Sequence, residues 1–345
     1  YFEDHFTFDM FIPVKTASYS FSMPLDFERY GLKIRTASYL GAGQPMADLE
    51  QTVDGQLRRY TWTREDIGAI PREPYMPPTS SIASRAAIGL AYVPQLGDHT
   101  WESLGNDYFE STISELIQED ASLKRRASEW SGGAKKIDER IERIANAGAE
   151  NIPYVSIDLE NTGWDPQPPE TTLSVRYGDC KDVSVLTVAL LRAAGVEAWP
   201  ALLRTDDPSV VDQSIVTPSV MNHMIVVAKG SRGDFWLDPT TSSFNLGELP
   251  HGDRGVKALV LSEDGAEFRE VPGTSADDNL IDTRVVASLD ESGDLIGELS
   301  AEYKGDLALG MRGFLEITSK DDAEKAIERW LQDTYPHVKI KDWTC

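Results

Sequence analysis

The stretch that most constrains this chain is DVSVLTVALLRAAG, residues 182–195. It is apolar on nearly every side and stops at a glycine, so it reads as a helix buried inside a domain. The longest apolar run, residues 183–203, carries Arg192, Glu197 and Pro200. A membrane span tolerates these poorly, and a buried helix followed by the strand EAWPALLRT fits better. Two further strand patterns follow, NHMIVVA and DFWLDPT, separated by KGSRG. Residues 171–260 are therefore the most organised part of the chain.

The flanks read differently. With 345 residues, two or three domains are expected. Residues 1–97 hold short Tyr-, Thr- and Phe-rich runs broken by Pro and Gly, the composition of strands and turns. Residues 66–78 contain too many prolines for a helix or a central strand and predict an extended arm. From Thr100 the spacing of Leu104, Tyr108, Ile113 and Leu116 predicts a helix, with Thr100 as N-cap and Ser103 as second choice. Ile137, Ile141 and Ile144 predict another over 135–148, stopping at Gly148. Alternating strand pattern returns near Asp282, and a last helix is expected over about residues 320–334. The division expected is 1–97, 98–275 and 276–345, the third domain truncated. The chain opens on Tyr1 rather than Met and reads as a piece of a longer protein, with no signal peptide or transmembrane segment in view.

Charge removes one class of partner. There are 33 basic and 57 acidic residues, net −24, the wrong sign for a nucleic-acid binder. The acidity is uneven: residues 171–200 sum to zero, while residues 261–300 carry −9. It belongs to solvated faces that aid solubility. Only two cysteines occur, Cys180 and Cys345, which excludes a disulfide-dense scaffold and a four-cysteine zinc site.

Cys180 stands in RYGDCKD, at the entry to the buried helix. Unpaired N–H groups and the helix dipole favour a thiolate there and can stabilise an oxyanion beside the sulfur. Gly178 permits a tight turn and Asp179 can cap the helix. The plain alternative is a small buried apolar residue. A thiolate nucleophile needs a proton partner, usually His, and that His needs an orienting acceptor. Of five histidines, only His223 lies in a strand pattern of the same segment. If the KGSR loop pairs Ala228 with Gly233, His223 falls directly opposite Asp238, on one face of the hairpin. A one-residue slip would separate them. Lys181 either supports the thiolate or is a solvated surface lysine, and Asp182 suits the first helical turn on dipole grounds. Arg176 and Tyr177 either line the cleft or make loop contacts. Zinc on Cys180, His223 and Asp238 lacks a fourth ligand and any CxxC or HExxH spacing, so no metal and no cofactor is expected.

Taken together, RYGDCKDVSVLTVALLRAAGVEAWPALL, MNHMIVV and FWLDPT resemble the core of bacterial transglutaminase-like proteins, over roughly residues 101–271. The N-terminal YTWTREDIGAIPREPYMPP resembles the β-rich domain that often precedes this core, and residues beyond about 280 the β-rich domain that often follows it. The resemblance implies an α+β fold, a papain-like core flanked by β-rich domains. It implies a triad of Cys180 as nucleophile, His223 as general base and then acid, and Asp238 as orienter. The activity implied is cysteine-dependent acyl transfer on a peptide or glutamine-type amide through a thioester, hydrolysis favoured over crosslinking. The substrate implied is a protein or peptide, in an extracytoplasmic setting. The competing reading is a non-catalytic envelope or surface binding module that retains the triad. Trp164 and Gln167 are weighed as a second oxyanion donor, with surface-loop roles the simpler account of each.

Overall fold

The computed structural model describes residues 2–345 apart from 40–48, 74–75, 77, 93–99, 119, 157–162, 206–210, 212–214 and 242–245. The Tyr- and Thr-rich runs of the first 97 residues form β1 (Phe2–Thr7), β2 (Val14–Pro24), β3 (Leu32–Tyr39), β4 (Leu49–Asp54), β5 (Leu57–Ile67) and β6 (Arg85–Tyr92). They make two three-stranded sheets, β1-β6-β3 and β2-β5-β4. Cross-strand aromatics hold the second, with Tyr19 opposite Trp62 and their rings stacked at 5.6 Å. Phe8, Phe27, Trp62 and Ile88 fill the core between them. Of the proline-rich stretch 66–78, residues 66 and 67 end β5 instead of starting an arm, residues 68–73 have neither helix nor strand, and residues 74, 75 and 77 lie outside the described residues.

The helical region is more broken than its apolar spacing suggests. Thr100 caps α1 (Trp101–Tyr108) and shares a reciprocal capping box with Ser103, so both weighed residues are used. The helix then widens into a π-type turn over Phe109–Ile113, and Asp120 caps a fresh start, α2 (Ala121–Ser131). The next helix, α3 (Ile137–Asn151), runs three residues past the expected stop at Gly148. Gly148 does not adopt the left-handed conformation of a helix terminator, and a glycine inside a helix costs only about 1 kcal/mol. A short α4 (Pro169–Val175) precedes α5 (Cys180–Ala193).

The central helix α5 is buried without interruption from Cys180 to Leu191. It ends as its glycine requires: Gly195 takes φ +76°, and Val196 N–H returns to Leu191 O at 2.9 Å. It packs on a five-stranded antiparallel sheet of β7 (Ala198–Leu203), β8 (His223–Lys229), β9 (Asp234–Leu237), β10 (Lys257–Val260) and β11 (Glu267–Glu270), in the order β11-β10-β7-β8-β9. Both faces of this sheet are covered, which is why its strands read as continuous apolar runs. Met224, Val226, Ala228 and Leu237 join the core beneath α5. Ile225, Val227 and Trp236 join a second cluster closed by Leu249, Val256 and Val271.

Beyond the sheet, β12 (Leu280–Leu289) and β13 (Leu295–Lys304) form an isolated hairpin. It leads into α6 (Asp306–Ile317) and α7 (Lys320–Thr334). The last helix has the expected limits; α6 had no counterpart in the sequence reading. The fold is α+β, with the helical core on one sheet and further β-sheets on either side of it in sequence.

Candidate active site

The site is assembled at the start of α5. Asp179 is its N-cap, its carboxylate accepting from Lys181 N–H at 3.1 Å and Asp182 N–H at 3.2 Å. Asp182 completes a capping box, accepting from Asp179 N–H at 3.1 Å. Its other oxygen accepts from Gln167 N–H at 2.7 Å, tying the preceding loop to the turn that carries Cys180. Gly178 is required by close approach: a Cβ there would lie 2.7 Å from Asp182 Cβ and 3.3 Å from Thr172 Cγ2. The reading of Lys181 as a solvated surface lysine is overturned. Its side chain is buried and its ammonium is ion-paired with Asp179, because α5 is covered on every side from its first turn. One turn on, Ser184 Oγ donates to Met224 O at 2.8 Å, which fastens the helix of Cys180 to the strand residue beside His223. Cys180 itself is buried, and Cys345 is exposed.

The hairpin that carries His223 and Asp238 differs from expectation in register. Ala228 pairs with Phe235, not Gly233, and Lys229 pairs with Asp234. The loop is Gly230 to Gly233, closed by Gly230 N–H to Gly233 O at 2.9 Å. Gly233 sits at φ +149°, a conformation that belongs in a turn rather than a ladder, and Ser231 is anchored to Asp138 of α3 at 2.7 and 2.6 Å. The ladder is therefore offset by two residues, and His223 is not directly opposite Asp238. An even offset preserves the face of every side chain. His223 Nε2 lies 3.3 Å from Asp238 Oδ2, a diagonal rather than a facing contact. Asp238, just past the end of β9, also accepts from Thr240 N–H at 2.9 Å and Thr240 Oγ1 at 2.7 Å.

Burial works against a charged His223, but hydrogen bonds to Asp238 and Cys180 and the charge of Asp238 hold its proton affinity well above the ordinary histidine value. Burial likewise opposes a charged Asp238, and the bond and charge of His223 with the two Thr240 bonds hold it below the usual carboxylate range. Nε2 is directed at Asp238, which leaves Nδ1 as the ring nitrogen for the thiol. The three residues thus meet in the order Cys180, His223, Asp238.

Two neighbours were not singled out in the sequence. Asp253, in the turn His251–Asp253, is 1% exposed. Burial and the adjacent Asp238 push its carboxyl up to about 7. His223, Asp238 and Asp253 have one ligand atom each within 4.8 Å of one another, the group among the described residues with the donor types to hold a metal ion. A lone Asp between His251 and Arg254 carries no spacing signal, so this proximity is a product of folding. Tyr108, expected only as a core residue, reaches the site from α1. Burial and the charges of Asp165, Cys180 and Asp179 raise its phenol above the usual range. Its hydroxyl donates to Trp164 O at 2.5 Å, so that loop carbonyl is engaged. Arg176 and Tyr177 are exposed on the rim. Tyr154, bridged to Gly178, and Val155 add exposed apolar surface beside them.

Residues 124–237 match the family model of the transglutaminase-like superfamily. Among solved structures, a candidate protease from Parabacteroides distasonis superposes with TM-score 0.53 at 18% identity, over 82% of this chain and 53% of its own. The chain thus spans about half the length of that protein. A candidate cysteine protease from Cytophaga hutchinsonii aligns with TM-score 0.31 at 13% identity, over 87% of this chain and 86% of its own. The periplasmic domain of TgpA from Pseudomonas aeruginosa aligns with TM-score 0.25 at 11% identity, over 67% and 72%. No curated protein matches. Among the described residues, no helix is long and apolar enough to cross a membrane.

Proposed function

We propose that this chain is a cysteine-dependent acyl-transfer enzyme with Cys180, His223 and Asp238 as its triad. It acts on a peptide or glutamine-type amide, with hydrolysis favoured over crosslinking. The observation that carries the reading is the convergence of a buried helix-start thiol with a His–Asp pair at 3.3 Å. His223 takes the thiol proton, and the sulfur attacks the amide carbon. The N–H of Cys180, which the Asp179 cap does not use, is aimed at the oxyanion. Collapse breaks the C–N bond, His223 gives its proton to the leaving amine, and a thioester remains. His223 then deprotonates water, which attacks the thioester carbon and expels the thiolate. Asp238 holds the ring throughout and stabilises the imidazolium.

Exposed Tyr154, Val155 and Tyr177, near Gly178, offer apolar surface for a polypeptide substrate. The division into 1–97, 98–275 and 276–345, and the extracytoplasmic setting implied by resemblance, belong to the same proposal. The test is incubation with a peptide library and a primary amine, followed by mass spectrometry. Hydrolysed product formed by the native protein and not by Cys180→Ala is expected. Amine-coupled product in excess would replace hydrolysis with transamidation. Equal turnover by Cys180→Ala would end the enzyme reading.

A further inference from the structure

The triad does not account for Asp253. Its carboxyl is 1% exposed and shares a cluster with His223 and Asp238, whose ligand atoms all lie within 4.8 Å. No N–H or O–H group of the described residues donates to its Oδ2. Two buried carboxyls that face one another cannot both be anions without a cation or a proton between them. Among the described residues, Asp238 from the end of β9, His223 from the start of β8 and the hydroxyl of Thr205 beyond β7 act on Asp253. The basic groups of its own turn are committed elsewhere. Arg254 pairs with Asp306 at 3.0 Å and donates to Leu249 O at 2.7 Å, and His251 faces Asp306 at 3.4 Å. Among the described residues, the cation of the cluster is the His223 imidazolium, already bonded to Asp238.

We propose that Asp253 is a positioning residue: as the carboxylic acid it donates its proton to Asp238 and so fixes the carboxylate that orients His223. The inference rests on the triad reading. Asp238 then accepts from four sides, His223, the N–H and hydroxyl of Thr240, and Asp253, and is left one orientation. Asp253 reaches it from the turn between Leu249 and Val256, which both belong to the second apolar cluster. The same cover that dries that face of the sheet thus delivers the acid. Burial and the charge of Asp238 hold this proton in place up to about pH 7. Above that, Asp253 becomes a second anion behind Asp238 and the donor is lost. The site therefore contains an ionisation near neutrality that belongs to none of the three triad residues.

The test needs no substrate. In a Cys345→Ser background, alkylation of Cys180 by iodoacetamide is timed from pH 5 to 9 by intact mass. The native residue is expected to give a bend near pH 7 that Asp253→Asn lacks, because the amide still donates to Asp238 but cannot ionise. At pH 6, Asp253→Asn is expected to react at least about tenfold faster than Asp253→Ala, the kinetic equivalent of one hydrogen bond to a charged group. A profile for Asp253→Asn that overlays the native one, or an Asn variant no faster than Ala, overturns the proposal. So does a divalent cation: one equivalent of bound metal that is lost in Asp253→Asn, or a bend removed by EDTA, would put a metal where we put the proton. His223→Ala separates the two levels. If it alkylates as fast as the native residue, the triad reading itself fails. If it slows while Asp253→Asn matches the native profile, only the role of Asp253 fails.

Discussion

Substituting Gly178 by Ala tests whether the first turn of α5 is as tightly set as the structure requires. The new methyl would sit 2.7 Å from Asp182 Cβ, against about 3.4 Å for ordinary contact, and 3.3 Å from Thr172 Cγ2. Asp182 Cβ is fixed to the helix backbone and cannot swing aside, so the turn must move by about 0.7 Å. Overpacking of this kind costs about 1–3 kcal/mol. Asp182 also holds the capping box and the Gln167 loop, so the displacement passes to Cys180 and to the residues before it. A misplacement approaching 1 Å at a reacting group lowers rate by about a hundredfold. Denaturant unfolding should therefore show a loss of about 1–3 kcal/mol, with Cys180 alkylation slowed about ten- to a hundredfold at pH 6. The matched control is Gly68→Ala, where a Cβ meets nothing within 4 Å. A folded Gly178→Ala protein with native stability and native Cys180 reactivity would refute the claim that this glycine sets the position of Cys180.

Three other outcomes follow from the same packing. Ser184→Ala removes the bond to Met224 O in a fully buried setting, and should cost about 1–3 kcal/mol by chemical denaturation while slowing Cys180 alkylation. Asp253 has a carboxyl raised from 3.8 to about 7, so its contribution to folding is complete below about pH 4 and is lost as pH rises through 7. The whole shift corresponds to about 4 kcal/mol, of which about 2–3 kcal/mol falls between pH 5 and pH 8, so Asp253→Asn should gain about that much on the native protein across this window. A difference that does not change with pH would contradict the buried acid. Gly310→Ala and Gly313→Ala, both in α6 with open space at the Cβ position, should each stabilise the protein by about 0.5–1 kcal/mol in thermal melts.

What the sequence determined by itself were the features that depend on near neighbours in the chain. The largely apolar run 182–195, with its Gly-Asp-Cys entry and glycine exit, forced a buried helix with a thiol at its start. Short apolar runs bounded by turn residues specified β8 and β9, and the separation of His223 from Asp238 put them on one face whichever even register the hairpin took. Only the tertiary structure decided the rest. The register depends on Gly233 in the turn and on Asp138 of a distant helix holding Ser231, neither visible in the loop's own pattern. Lys181 looks like a surface residue in sequence, and its burial beside Asp179 follows from what other elements lay over α5. Asp253 and Tyr108 reach the site from segments 15 residues after Asp238 and 72 before Cys180, and no local spacing announces either. Local propensity and periodicity act over a few residues, whereas desolvation, carboxyl pairing and the close approach at Gly178 exist only once distant segments share a volume.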